Sequence, residues 1–238
     1  GAQWKHAGRI ANSSKRGALI SKLVKEIMVA AKGMGPTAEP SARLRAAIES
    51  EKKASVPRDT IERAVKKGSA QLDGGVQFET VTYEGFAPHQ VPVIVECLTE
   101  NRNRTAADIR QLFRKGQLGG QGSVTYQFDR LGVIEAIHVD KTQDPEGVAI
   151  DAGAQNVEAL EGSDVPASEL GLRFYTDTKD LDAVNHYLSG KGWTIQLSEM
   201  GWIAKNKVEV TPEALKEVSE FLGEIDDHDD VHRVYTAI

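Results

Sequence analysis

Val133-Ile134-Glu135-Ala136-Ile137-His138-Val139 reads as a strand, and the order of the elements after it decides the fold. A helix is expected at Pro145–Gly153, strands at Asn156–Leu160 and Glu169–Tyr175, a helix at Lys179–Gly190 and a strand at Thr194–Ile203. The order is β-α-β-β-α-β, the split-βαβ arrangement. Upstream, Phe78-Glu79-Thr80-Val81-Thr82-Tyr83-Glu84 alternates in the manner of a half-buried strand. Gly85–His89 turns, and Val91–Leu98 is a mostly apolar strand with Pro92 near its start, where a missing N–H is tolerated. A helix at Thr105–Lys115, a glycine-rich loop at Gly116–Gly122 and a strand at Ser123–Phe128 come next. Downstream lie a helix, Pro212–Ile225, and a strand, Val231–Tyr235. The flanking pieces, β-β-α-β and α-β, together complete a second α+β sandwich, with residues 133–204 inserted between them. The alternative is one continuous α+β domain over 76–238.

The N-terminal third is helical in pattern. Leu19, Leu23, Ile27 and Ala30 recur at helical spacing over Ala18–Lys32, and Leu44, Ala47 and Ile48 do so over Ser41–Ala54. A third helix is expected to start at Pro57, whose missing N–H is harmless in the first turn, and to close at Gly68. Residues 2–17 read as a mobile basic arm, and Gln71-Leu72-Asp73-Gly74-Gly75 as a linker. The expected class is α+β: a three-helix basic domain over 1–75, then two ferredoxin-like α+β domains, one discontinuous over 76–132 and 205–238, the other inserted at 133–204.

Hydrophobic residues make up 40% and charged residues 27% of the 238, ordinary values for a soluble domain. No apolar run is long enough for a transmembrane helix, and no secretory h-region is present. Cys97 is the single cysteine, so no intrachain disulfide can form, which fits a reducing compartment such as the cytoplasm. The net charge of −6 hides a strong asymmetry. Residues 1–72 hold 15 Lys+Arg against 6 Asp+Glu, a net +9; residues 73–132 hold 6 against 7, a net −1; residues 133–238 hold 8 against 22, a net −14. A basic head on an acidic body points to a polyanionic partner for the head.

That charge singles out candidate residues. In and after the arm, Lys5, Arg9, Lys15, Arg16, Lys22 and Lys25 are phosphate contacts, and Trp4 among them is a base-stacking candidate, against simple docking onto the helices. Thr99-Glu100-Asn101-Arg102-Asn103-Arg104-Thr105 joins the apolar strand to a helix that Asn103 or Thr105 is expected to cap. Arg102 and Arg104 oppose the helix dipole there, unless an anion shares the site or acidic neighbours bind them. Gly116–Gly122 lacks the Gly-Lys-Ser/Thr leading into a helix that a phosphate loop needs. His228 and His232 among Asp226, Asp227, Asp229 and Asp230 are better read as an acidic turn than as a metal site, and Cys97 as a packed strand residue. No metal, cofactor or catalytic constellation is expected.

Arg102-Asn103-Arg104-Thr105-Ala106-Ala107, after Thr82-Tyr83-Glu84-Gly85-Phe86-Ala87-Pro88 and Val93-Ile94-Val95-Glu96, resembles the YebC family. So do Trp4-Lys5, Arg16-Gly17, Lys22-Leu23 and Glu26-Ile27 at the N-terminus. Ile61-Glu62-Arg63-Ala64 with Lys66-Lys67-Gly68, Gly122-Ser123-Val124, Phe128-Asp129 and Asp229-Asp230-Val231 with Val234-Tyr235 extend the likeness over nearly the whole chain. Ala2-Gln3-Trp4-Lys5-His6 departs from the common Ser-Lys-Trp start, the mark of a subgroup. The resemblance implies three domains, a cytoplasmic location and no enzymatic reaction. Family members include bacterial proteins described as transcriptional regulators and a mitochondrial translational activator. The expectation is a non-enzymatic nucleic-acid-binding regulator of gene expression, DNA-binding in transcription; the alternative is a translation factor that contacts ribosomal RNA. The sequence offers no clear recognition helix for the major groove.

Overall fold

Two apolar strands of the sequence become the centres of two separate sheets. The computed structural model describes residues 13–32, 34, 39–53, 55–69, 77–160 and 165–238. Among them the chain is α+β: seven α-helices and two four-stranded antiparallel sheets, with a helical N-terminal region ahead of the sheets. The described residues group into two compact units, one from residues 1–29, 74–129 and 202–238, the other from 30–73 and 130–201.

The first unit contains helix α1 (Ser13–Ala30) and strands β1 (Glu79–Ala87) and β2 (Val91–Thr99). Helix α4 (Arg102–Leu112), strand β3 (Gln117–Leu118), helix α7 (Pro212–Asp226) and strand β8 (Val231–Thr236) complete it. The strand order is β3-β1-β2-β8. Every residue of β2 is buried, Glu96 and Thr99 included, as suits a mostly apolar central strand covered on both faces. Val93, Val95 and Cys97 face Ile109, Phe113, Val218, Phe221 and Leu222, with the Phe113 and Phe221 rings edge-to-face at 5.3 Å. Ile94 packs on the opposite face with Val124, Phe128 and Ala237. Each such fully buried side chain contributes about 1.5–3 kcal/mol.

The second unit contains helices α2 (Ala42–Lys53) and α3 (Arg58–Gly68). Its sheet is ordered β5-β6-β4-β7, from β4 (Phe128–His138), β5 (Asn156–Ala159), β6 (Leu170–Thr176) and β7 (Thr194–Ala204). With α5 (Pro145–Ala152) and α6 (Leu181–Gly190) this is the β-α-β-β-α-β order read from the sequence. Ile134, Leu172, Phe174, Val184, Leu188 and Trp193 form its core.

Several local expectations are corrected. Helix α1 starts at Ser13, so Ser13–Gly17 is helix and not arm. Pro57 is the N-cap of α3, with ψ 138°, rather than its first helical residue. The hairpin turn is Pro88–Gln90, since Gly85–Ala87 still belong to β1. Gly85 allows close approach of the next strand: a Cβ there would lie 2.4 Å from the Gln117 carbonyl oxygen. That contact reveals β3 inside the stretch read as a loop. Ser123–Phe128 is not a strand; Thr125–Gln127 form a 3-10 turn and β4 begins at Phe128. The arm up to residue 12 and the 71–75 linker lie outside the described residues.

Candidate nucleic-acid interface

Helix α4 shows how the strand-to-helix junction is built. Asn101, not Asn103 or Thr105, is the N-cap: its side-chain oxygen accepts the Arg104 N–H at 3.0 Å, so the helix begins at Arg102. Thr105 is therefore one turn into the helix and wholly buried. Its hydroxyl lies 2.7 Å from the Thr99 hydroxyl, 3.1 Å from the Asn101 carbonyl and 2.8 Å from Asp230 Oδ2.

Asp230, 3% exposed, gathers the charges of this junction. It accepts the Lys25 ammonium at 2.9 Å, the Arg104 guanidinium at 3.1 and 3.3 Å, and the Thr105 hydroxyl. Burial alone would push its carboxyl up; the bonds from Lys25, Thr105 and Arg104 outweigh that and hold it below the usual carboxylate range. The turn is hydrogen-bonded around it. Leu98 N–H donates to the Asp230 carbonyl, Asp230 N–H donates to His228 Nδ1, and His228 Nε2 meets Asp108 at 2.9 Å.

The same turn receives helix α1. Lys22 donates to the Asp226 carbonyl, and Lys25 donates to the Asp229 carbonyl at 2.9 Å. Lys25 also lies 5.5 Å from the centroid of the Phe78 ring. Glu26 pairs with His232 at 3.0 Å and with Arg233 at 3.1 Å. The acidic turn is thus a receptor for the lysines of α1; His228 bonds Asp108 from the turn, and His232 meets Glu26 from the start of β8. No cluster of His, Cys, Asp and Glu with metal-site geometry occurs among the described residues.

The candidate cations consequently separate. Lys22, Lys25 and Arg104 are engaged within the first unit. Arg102 is 66% exposed with only a loose approach to Glu79, 3.7 Å. Lys15 and Arg16 lie in the first turn of α1. Trp4, Lys5 and Arg9 lie outside the described residues. In the second unit Lys52 pairs with Glu49 and Arg58 with Glu62, while Arg43, Arg63, Lys66 and Lys67 have no ion pair among the described residues. For Arg104 the structure realises the alternative in which an acidic neighbour binds the junction arginine; the sequence did not single out Asp230 as that neighbour.

The glycine-rich loop is occupied from within. Glu84, 5% exposed, accepts the N–H groups of Gly122, Val124 and Thr125 at 2.7, 3.0 and 2.8 Å. Burial opposes its charge, but these bonds prevail and lower its pKa. The amides that a phosphate would need are already taken by a carboxylate. Cys97 is fully buried, and burial pushes its thiol up to about 12, so it is no nucleophile.

A protein of Pseudomonas syringae pv. syringae strain B728a, named a probable transcriptional regulatory protein, is 48% identical over 239 residues, 100% of this chain and 99% of its own. A Bdellovibrio bacteriovorus protein of the same description is 45% identical over 100% of both chains. The crystal structure of a conserved hypothetical protein from Aquifex aeolicus superposes with a TM-score of 0.78 at 38% identity, covering 94% of this chain and 90% of that one. The TACO1/YebC N-terminal domain matches residues 2–71, and the second and third domain of TACO1/YebC matches residues 78–238. With the two matches lying end to end, the chain belongs to the TACO1/YebC family.

Proposed function

We propose that this protein is a non-enzymatic, nucleic-acid-binding regulator of gene expression that acts on DNA in the cytoplasm, and that its basic N-terminal third makes the phosphate contacts. The observation that carries the reading is the net +9 on residues 1–72 within a chain of net −6. Relatives named probable transcriptional regulatory proteins support it. So does the absence of any helix long and apolar enough to cross a membrane among the described residues.

Trp4, Lys5, Arg9, Lys15 and Arg16 contact the polymer directly, with Arg102 added from α4. Lys22, Lys25 and Arg104 act by position, because their bonds to the 226–230 turn hold α1 and α4 in place. The chain divides functionally into a basic part over 1–75, a discontinuous platform over 76–132 and 205–238, and an acidic insert over 133–204.

The test is binding of the full chain to duplex DNA and to ribosomal RNA at matched salt. A duplex-DNA affinity whose logarithm falls by about 0.9 per phosphate contact for each decade of salt is expected. Preference for ribosomal RNA at every salt concentration would replace transcription with translation, and no binding to either polymer at low salt would end the reading.

A further inference from the structure

Helix α6 carries a polar residue where packing asks for an apolar one. Val184 and Leu188 belong to the second core, and Asn185, on the same face, is 1% exposed. Its Nδ2 has no hydrogen-bond partner among the described residues. A buried amide donor left unpaired costs stability that Leu or Met at this position would not.

Asn185 lines a groove of about 400 Å³ between α2, α6 and the start of β7. That volume lies within the range of small-ligand sites, about 300–1,000 Å³. Ala46 and Ile48 from α2 and Ile195 from β7 supply its apolar surface, and Ser189 of α6 and Thr194 of β7 add hydroxyls to the lining. Ser50 on α2 donates to the Gln196 carbonyl at 3.0 Å and holds the two walls together. At the mouth stand Arg45, exposed, and Lys52, whose ammonium is shared with Glu49 at 2.8 Å.

We propose that this groove binds one nucleotide: the base between the apolar walls, a base carbonyl oxygen on Asn185 Nδ2, and the phosphate on Arg45 with Lys52. A flat, weakly polar ring fits walls of Ile and Ala, one buried donor selects a ring bearing an acceptor, and surface cations suit an anion that stays at the solvent edge. The nucleotide is either free or part of a single strand. The second case deepens the nucleic-acid reading given above and rests on it; the first does not.

The test compares inosine and adenosine 5′-monophosphates, which differ at position 6 by a carbonyl against an amino group and at N1 by an N–H against a lone pair. Both are titrated into the full chain while the Asn185 side-chain amide is followed by NMR, and short single-stranded oligo-inosine and oligo-adenosine are compared in the same way. Inosine is expected to bind about tenfold tighter than adenosine and to move the Asn185 amide signal, with the discrimination lost in Asn185→Leu. If that variant does not fold, Arg45→Glu takes its place: it lies at the surface and should weaken both ligands about tenfold while keeping their ratio. Discrimination by strands alone assigns the site to nucleic acid, and discrimination by monophosphates alone assigns it to a free nucleotide. Strands that bind without discriminating would overturn the groove and leave the nucleic-acid reading standing. A preference for inosine that survives in Asn185→Leu would overturn it too.

Discussion

Replacing Asp230 by Ala removes the acceptor on which α1, α4 and β8 converge. The donors left behind are unequal. Thr105 is wholly buried and the Lys25 side chain is 17% exposed, whereas the Arg104 side chain is 47% exposed and finds water. Removing one partner of a buried ion pair costs about 3–5 kcal/mol. Lys25 keeps the Asp229 carbonyl, so the lower end applies, about 3 kcal/mol. For a chain of this size that lowers Tm by about 6–12 °C. Calorimetry of Asp230→Ala, Lys25→Ala and the double variant at neutral pH measures it. The double variant should melt close to Asp230→Ala alone, giving a coupling of about 1–3 kcal/mol. Because Asp230 is sheltered from solvent, the loss should persist at high salt. An Asp230→Ala protein melting within about 2 °C of the parent, or additive single variants, would refute the convergence as a stabilising device.

Arg102→Ala should leave Tm unchanged and flatten the salt dependence of nucleic-acid binding by about one phosphate contact, while Arg104→Ala should lower Tm and leave the salt slope alone; paired melts and titrations decide. Glu84 and Asp230 both have lowered carboxyl pKa values in the fold. Their contribution is complete above the unfolded value, about 4, and is lost as pH falls through the lower folded values. Glu84→Gln should therefore be destabilised at neutral pH and lose less further stability than the parent on acidification, as read by melts over the acid range. Cys97, fully buried with its thiol pushed up to about 12, should resist a thiol reagent in the native protein and react only after denaturant is added.

The β4–β7 sheet was legible because each of its elements carries its own period and its own punctuation, and its strand order obeys the split-βαβ rule. Helix ends were less so. Asn101, Asn103 and Thr105 are all acceptable caps, and the choice is made by the Asp230 carboxylate, more than a hundred residues away, which draws Thr105 into the core. Gln117–Leu118 is too short to show an alternation and exists as a strand only because β1 lies beside it. Charge was the least legible quantity. The sequence places Lys22 and Lys25 in a basic third and Asp226–Asp230 in an acidic one, and only the fold makes them neighbours. Asn185 did leave a trace, as a polar residue within the apolar stripe of Leu181, Val184 and Leu188.

Strand β8 has a consequence for synthesis. It pairs with β2 over Val93↔Thr236, Ile94↔Tyr235 and Val95↔Val234 and caps the side of β2 that β1 does not reach. A ribosome delivers β1 and β2 early, then β4 to β7, and β8 only afterwards. Throughout that interval the most apolar strand of the chain presents an open hydrogen-bonding edge. Strands β4–β7 pair over shorter separations in sequence, whereas the pairing of β2 with β8 is a closure across a long loop. A nascent chain arrested before Val231 should therefore hold a formed β4–β7 sheet and an unfinished β3-β1-β2 sheet, and be recognised by chaperones at β2.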